Sequence, residues 1–129
     1  MRVLAIDHGN ARAGVAVCDP TETITRPLEV VEPPEPAAVA RVADEHGAEL
    51  IVVGLPVSLD GSEGEQAAVA RAFAGELEKL TEVPIEVYDE RLTSRMAAET
   101  ARSGAGAAPD SIAAAHLLDG FLLARKATR

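Results

Sequence analysis

The most informative part of the sequence is the stretch Leu-Ala-Ile-Asp-His-Gly-Asn-Ala-Arg-Ala-Gly-Val-Ala-Val-Cys at residues 4–18. An apolar strand runs into Asp7, the chain turns through Gly9, and a second apolar strand begins near Gly14. A carboxylate at the end of a buried strand is costly unless a cation lies opposite it, and glycine allows a tight turn close to a ligand. The stretch therefore predicts either a ligand-binding strand end or a plain β-hairpin in which the aspartate caps the turn.

The composition indicates one globular domain that covers residues 1–129. Hydrophobic residues make up 47% of the chain and aromatic residues only 2%, so we expect a core of Val, Ile, Leu and Ala. The scarcity of rings argues against a base-stacking platform for single-stranded nucleic acid. The single cysteine, Cys18, excludes an internal disulfide, and no signal segment or membrane-length apolar run is present. We therefore expect a cytoplasmic protein with no membrane partner.

Charge is distributed unevenly along the chain. The net charge of −9 disfavours a polyanionic partner. Residues 28–90 contain fifteen acidic and three basic side chains, whereas residues 91–129 contain six basic and three acidic ones. The two ends of the chain could therefore converge on a site that is far less negative than the whole, an asymmetry that permits nucleic-acid binding without indicating it.

Apolar runs and turn residues predict five strands, at about residues 2–7, 13–18, 23–31, 50–54 and 84–89. The third is interrupted by Arg26-Pro27, which suits an edge strand because proline cannot donate to a ladder. The fourth is apolar throughout, as expected for a central parallel strand covered on both faces.

Helical spacing predicts four helices. The first covers about residues 35–45, and the second is opened by a capping box of Ser62 and Glu65. The apolar stripe of the second helix consists of Val69, Phe73, Leu77 and Leu80. A short third helix is capped by Thr93 or Ser94 and ends at Gly104. The last covers about residues 109–125, with Ile112, Leu117 and Leu118 among its buried positions.

The order β-β-β-α-β-α-β-α-α predicts an α/β fold with a mixed five-stranded sheet. Three antiparallel strands are followed by parallel crossovers, and helices cover both faces. Because ligands bind at the carboxyl ends of the strands in such sheets, acids at those ends are candidate site residues.

Acidic residues occur at three such positions. Asp7 ends the first strand, Asp89 and Glu90 end the fifth, and Asp110 opens the last helix. Two carboxylates about 4 Å apart repel by about 4 kcal/mol at an effective dielectric constant of 20, a cost that a divalent cation removes. Mg²⁺ prefers such oxygen ligands, and two ions can activate a water and stabilise the leaving oxygen of a phosphodiester. In the alternative interpretation Asp110 only complements the helix dipole, and Asp89 and Glu90 form a solvated strand exit.

Several short motifs follow one another in a recognisable order. They are Leu4-Ala-Ile-Asp7-His-Gly9 with Arg12 and Gly14-Val-Ala-Val, Asp19-Pro20, Ile51-Val-Val-Gly54-Leu55-Pro56, Asp60-Gly61-Ser62-Glu63-Gly64, Tyr88-Asp89-Glu90-Arg91-Leu92-Thr93-Ser94 and Asp110-Ser111-Ile112-Ala113-Ala114. Over nearly the whole chain this series resembles the YqgF/RuvX family of Holliday junction resolvases and nucleases that mature the 16S ribosomal RNA precursor.

The resemblance implies an RNase H-like fold and phosphodiester cleavage that depends on Mg²⁺ or Mn²⁺. By the family pattern, the catalytic residues and metal ligands would be Asp7, Glu90 and Asp110. Asp89 is the alternative to Glu90 as the second ligand, because neighbouring residues of a strand point to opposite sides. His8 would be a polar side chain at the turn, with proton transfer as its alternative role.

The same resemblance implies which residues meet the substrate. Arg12 and Arg91 would hold phosphate as planar forks. Thr93 and Ser94 would donate to phosphate or cap the next helix. The partner would be nucleic acid, either the 5′ end of the 16S rRNA precursor or branched DNA, with ribosomal particles as a further partner and a monomer or homodimer as the assembly.

Two departures from the family pattern lower the expected affinity for nucleic acid. Asn10 and Ala11 stand where the family usually has a hydroxyl residue and Lys, and residues 103–109 lack the usual basic side chains. These departures leave a second interpretation open, a catalytically weak binding module that is an accessory of RNA processing or of transcription. A sugar-kinase-like ATPase shares the aspartate turn but needs a second lobe, for which 129 residues leave no room.

Overall fold

The computed structural model describes residues 1–58, 60–90 and 109–127. Five strands and three helices lie in these ranges. Their bounds are β1 Val3–His8, β2 Ala13–Cys18, β3 Thr25–Pro27, α1 Pro36–Glu45, β4 Leu50–Leu55, α2 Glu65–Glu78, β5 Ile85–Asp89 and α3 Pro109–Ala127.

The strands form one mixed sheet in the order β3-β2-β1-β4-β5. β3, β2 and β1 are antiparallel, while β1, β4 and β5 are parallel. The predicted arrangement of three antiparallel strands followed by parallel crossovers is confirmed. The continuous apolar run of β4 lies between β1 and β5, the central position that its sequence predicts.

Alternate side chains of the strands enter two separate cores, as the twofold period of a strand requires. On one face, Leu4 and Ile6 of β1 pack with α1 and α2 through residues such as Val39 and Phe73. On the other face α3 covers the sheet, in a cluster that consists of Val3, Ala5, Ala16, Cys18, Leu50, Val52, Ala114, Leu117, Leu118 and Leu122. Helices therefore cover both faces, as predicted, and the core is almost free of rings.

Three local predictions need correction. The third strand covers Thr25–Pro27 instead of nine residues, and Pro27 itself cannot donate to the ladder. Beyond it, the Leu28 N–H donates to the carbonyl oxygen of Val15 at 2.8 Å, and an isolated bridge joins Ala13 to Val31. The capping box is wrong, since α2 is capped by Gly64 and the Ser62 hydroxyl donates to Asp60 Oδ1 at 2.7 Å. Leu80 is 53% exposed because the helix ends before it.

The last helix runs from Pro109, as predicted, and buries Ile112, Leu117 and Leu118. The expected helix from Thr93 or Ser94 to Gly104 lies outside the described residues. Within the described ranges, every helix is too short or too polar to cross a membrane.

Candidate active site

Asp7 lies at the carboxyl end of β1, on the face of the sheet that α3 covers. Val3 and Ala5 pack against α3, and Asp7 is the next residue of β1 on that face. It is half-buried, unlike the fully buried residues before it. The strand thus carries a carboxylate from the core to the edge where the sheet meets solvent.

The first turn of α3 is held against β2 directly beside Asp7. Asp7 is paired in register with Gly14 of β2. A Cβ at Gly14 would overlap the carbonyl oxygen of Asp110 and lie 2.8 Å from the nitrogen of Ser111. The backbone of α3 therefore occupies the space that any side chain at position 14 would need.

Ser111 fixes this helix start by a buried hydrogen bond. Its side chain is fully buried, and its Oγ accepts the N–H of Val15 at 3.3 Å. A buried strand N–H without a partner would be costly, so the serine both satisfies β2 and anchors α3. The residue before it, Asp110, is placed at the site by this anchor.

The Glu90 side chain approaches Asp7 from the end of β5, which lies on the other side of β4. β5 is two strands away from β1, a distance of about 10 Å. A Cβ at Gly54 of β4 would overlap Glu90 Oε1 and lie 2.9 Å from Glu90 Cδ. The Glu90 side chain therefore crosses β4 through the space that the missing side chain of Gly54 leaves.

Asp7 and Glu90 meet in a hydrogen bond. Burial, this bond and the charge of Asp7 raise the pKa of Glu90 to about 8. Burial also raises the pKa of Asp7, and the nearby charge of Asp110 adds to that rise, while the hydrogen bond from Glu90 opposes it. The hydrogen bond lowers the pKa of Asp7 and raises that of Glu90, so Glu90 is the donor in this bond and the Asp7 carboxylate is the acceptor.

Asp110 completes the cluster and is contacted by Arg12. Its Oδ2 lies 3.8 Å from Arg12 Nη1, while Arg12 Nε lies 3.7 Å from Glu32 Oε2. The hydrogen bond from Gly9 N to Arg12 O, 2.9 Å long, closes the turn that presents the guanidinium. Arg12 is about half-exposed and is available to an anion that approaches the acids from solvent.

The three acids have the chemistry that a hard divalent cation prefers. Asp7 and Glu90 offer carboxylate oxygens held together by a proton, which a cation can replace, and Asp110 is close enough to raise the pKa of Asp7. The donor set fits Mg²⁺ or Mn²⁺. As the side chains stand, no group of three or more His, Cys, Asp or Glu residues in the described ranges is arranged to hold a metal ion.

Asp89 and His8 lie on the face of the sheet opposite the three acids. Asp89 is paired in register with Leu55, and strand alternation directs it to the face opposite Glu90; its charge contributes to the raised pKa of Glu90. The His8 ring lies 4.4 Å from the ring of Phe73, on the α2 face of the sheet, and burial lowers its pKa. The expectation for His8 was a polar side chain at the turn, and the structure adds a ring contact that the sequence did not indicate.

Three predicted substrate-binding residues, Arg91, Thr93 and Ser94, lie outside the described residues. The structure also shows three residues whose positioning roles the sequence analysis did not predict: Gly14, Gly54 and Ser111. A glycine inside an apolar strand is a signal of close approach, and both glycines carry it.

Comparison with known proteins gives one family and a consistent set of relatives. A family model described as RuvX, Holliday junction resolvase, matches residues 1–124. A protein of an Anaeromyxobacter species, named "Putative pre-16S rRNA nuclease", is 41% identical, with 98% of this chain and all of that protein covered. A protein of the same name from Chloroflexus aurantiacus is 38% identical, with 96% of this chain and 88% of that protein covered.

Solved structures share the fold. The RuvC protein of T. thermophilus, solved with a Holliday junction substrate, has a TM-score of 0.65 at 21% identity and covers 99% of this chain and 97% of its own. The fowlpox virus Holliday junction resolvase has a TM-score of 0.57 at 12% identity and covers 96% and 99%, respectively. The expected RNase H-like fold class is confirmed.

Proposed function

Because the chain belongs to the RuvX family of Holliday junction resolvases, we propose that it is a divalent-metal-dependent nuclease that cleaves phosphodiester bonds of structured nucleic acid. The observation that carries the proposal is the meeting of Asp7 and Glu90 across β4, with the charge of Asp110 beside them. A half-buried pair of hydrogen-bonded carboxylates at a strand edge costs stability and is expected where it performs chemistry.

Asp7, Glu90 and Asp110 would hold Mg²⁺ or Mn²⁺. When bound, such ions supply an activated water and stabilise the leaving oxygen of the phosphodiester. The protein's own part is to bring the three carboxylates together from β1, from the end of β5 and from the start of α3. Gly14 and Gly54 make that convergence possible, and Glu90 would release its proton when the cation takes its place.

Arg12 would orient the scissile phosphate. Its guanidinium already lies beside Asp110, so a phosphate bound there would be adjacent to the acids. Arg91 follows Glu90 directly in the sequence and would act with it, while Thr93 and Ser94 would donate to phosphate or cap a helix. These three assignments rest on the family pattern.

We propose the 5′ end of the 16S rRNA precursor as the substrate, in preference to branched DNA, because the curated relatives at 38–41% identity bear the name of a pre-16S rRNA nuclease. Such a substrate would place the protein in the cytoplasm with ribosomal particles as its partners.

A second candidate function is an accessory module that binds RNA without cleaving it. The net charge of −9 and the contact of Arg12 with two acids, Glu32 and Asp110, weaken the hold on a scissile phosphate that cleavage needs, and this favours the catalytically weak module over the nuclease. The two functions differ in whether a strand is cut.

The deciding experiment is a cleavage assay on 16S rRNA precursor and on four-way DNA junctions, with and without Mg²⁺. The Asp7→Asn variant should reduce the cleavage rate on the order of 100-fold or more. The matched control is Asp44→Asn, an exposed acid of α1, which should cleave as the wild type does. Equal cleavage by wild type and Asp7→Asn would refute the mechanism, and rRNA binding without cleavage would favour the accessory module.

A further inference from the structure

A cavity lined by both charged and apolar residues lies at the opposite end of the sheet from Asp7. Its volume is about 230 Å³. The lining residues are Arg2, Val17, Cys18, Asp19, Ile24 and Arg26. None of them belongs to the site described above.

The register of the sheet places the two arginines on one face. Val17 of β2 is paired with Leu4 of β1 on one side and with Arg26 of β3 on the other. Arg2 precedes Leu4 by two residues and so points to the same face, the one that α1 covers. Asp7 is five residues further along and on the other face, about 16 Å away along the strand. The cavity is therefore separate from the candidate active site.

The guanidinium groups at this cavity keep most of their hydrogen-bonding capacity. Arg2 Nη1 donates to the carbonyl oxygen of His46 at 3.2 Å, which uses part of its fork. Arg26 is exposed and makes no hydrogen bond or ion pair with another described residue. Each can therefore offer parallel N–H donors to an anion.

The one acid that lines the cavity is occupied by its own loop. The Asp19 carboxylate accepts the backbone N–H groups of Thr23 and Ile24, each at 2.8 Å, and the hydroxyl of Thr21. These donors hold the pKa of Asp19 well below its usual range. Because its oxygens accept these donors, Asp19 stays ionised but makes no ion pair with Arg26 in the described part of the chain, and the Arg26 guanidinium remains open to another anion.

We propose that this cavity binds the phosphate group of a phosphate ester. Two guanidinium forks match the oxygens of a phosphate, and Val17 and Ile24 give an apolar wall for the carbon side of the ester. The cavity is smaller than the roughly 300–1,000 Å³ of sites for whole drug-sized ligands, so it takes one phosphate and the edge of a sugar. The proposal is independent of the nuclease function.

The test is calorimetric titration of the intact protein, in buffer without divalent ions, with inorganic phosphate, ribose 5-phosphate and a short unstructured oligoribonucleotide. Arg26→Gln should raise the dissociation constant about tenfold, and Arg26→Lys should restore part of the affinity. Arg41→Gln, which removes the same charge from an exposed position of α1 outside the cavity, should bind as the wild type does.

The three titrants distinguish the source of the phosphate. Binding of either small phosphate indicates a free ion or monoester, and binding of the oligonucleotide alone indicates a backbone phosphate; both support the proposal if Arg26→Gln weakens them. The proposal is overturned if the wild type binds none of the three, or if Arg26→Gln binds them unchanged. Loss of all binding in Arg12→Gln alone would also overturn it, because it would move the anion to the other site.

Discussion

Glu90 Oε1 occupies the space in which a Cβ of residue 54 would lie, so the Glu90 side chain passes over β4 at Gly54 on its way to Asp7. This relationship joins the ends of two strands that are not neighbours in the sheet. A single missing side chain thus brings together two acids that are 83 positions apart in the sequence.

The Gly54→Ala substitution should therefore impair cleavage far more than folding. The added methyl meets the end of a flexible side chain, so Glu90 moves away from Asp7 and the backbone stays in place. We expect a loss of cleavage rate of roughly 10–100-fold, the range typical of disturbed metal-site positioning. Rates should be measured beside Gly75→Ala, a glycine of α2 with nothing within 4 Å of its Cβ position. That control should retain its rate and gain up to about 1 kcal/mol in free energy of unfolding.

The Gly14→Ala substitution should act in the opposite way, mainly on stability. Here the added methyl meets the backbone of Asp110 and Ser111, which cannot rotate aside. We expect the free energy of unfolding in urea to fall by about 1–3 kcal/mol, as for other overpacked sites. An unchanged unfolding midpoint would show that α3 does not begin against β2.

The raised pKa of Glu90 predicts a pH dependence of stability in the absence of divalent ions. Because the folded pKa of about 8 lies above the ordinary value of 4.5, the folded state holds more protons than the unfolded state between these values. The stabilising contribution is fully present below pH 4.5 and is lost as the pH rises through 8. The melting temperature should fall by on the order of a few °C between pH 5.5 and pH 8.5, at constant ionic strength.

The Glu90→Gln variant isolates this effect, because its amide does not titrate. Its melting temperature should change less over the same pH range than that of the wild type. Parallel curves for the two proteins would mean that Glu90 does not retain a proton in the fold.

Removal of the Arg12 charge should weaken nucleic-acid binding uniformly across sequences. If the guanidinium contacts one phosphate, the slope of the log binding constant against the log salt concentration should become less steep by about 0.7–0.9 in Arg12→Gln. Lys79→Gln, which removes a charge that is 72% exposed at the end of α2, should leave the slope unchanged. Identical slopes for wild type and Arg12→Gln would exclude the proposed phosphate contact.

The sequence was sufficient for the sheet and for the acids that end its strands. The apolar runs of residues 4–18 predict an antiparallel pair, and the continuous apolar run of residues 50–54 predicts a central parallel strand. All three strands lie where these runs place them. The predicted start of the second helix and the predicted length of the third strand were wrong because of local interactions. Ser62 donates its hydroxyl to Asp60, so α2 begins only after Gly64, and β3 ends at Pro27.

The convergence of the acids could not be predicted in the same way. Whether Asp89 or Glu90 faces Asp7 depends on the register of β5 against β4, in which Tyr88 is paired with Gly54. That register is set by packing between distant residues, such as Tyr88 against Phe121 of α3, and a single sequence does not state it. The positioning role of Gly54 follows only once the register is known.

Whether the three carboxylates capture a divalent cation is measured by calorimetric titration of Mn²⁺ into the wild type at pH 7, in two buffers of different ionisation enthalpy. If the carboxylates capture the cation, the wild type should bind it and release about one proton, that of Glu90, and Asp7→Asn should bind it far more weakly. No Mn²⁺ binding by the wild type, or equal binding by Asp7→Asn, would show that these carboxylates do not hold the cation.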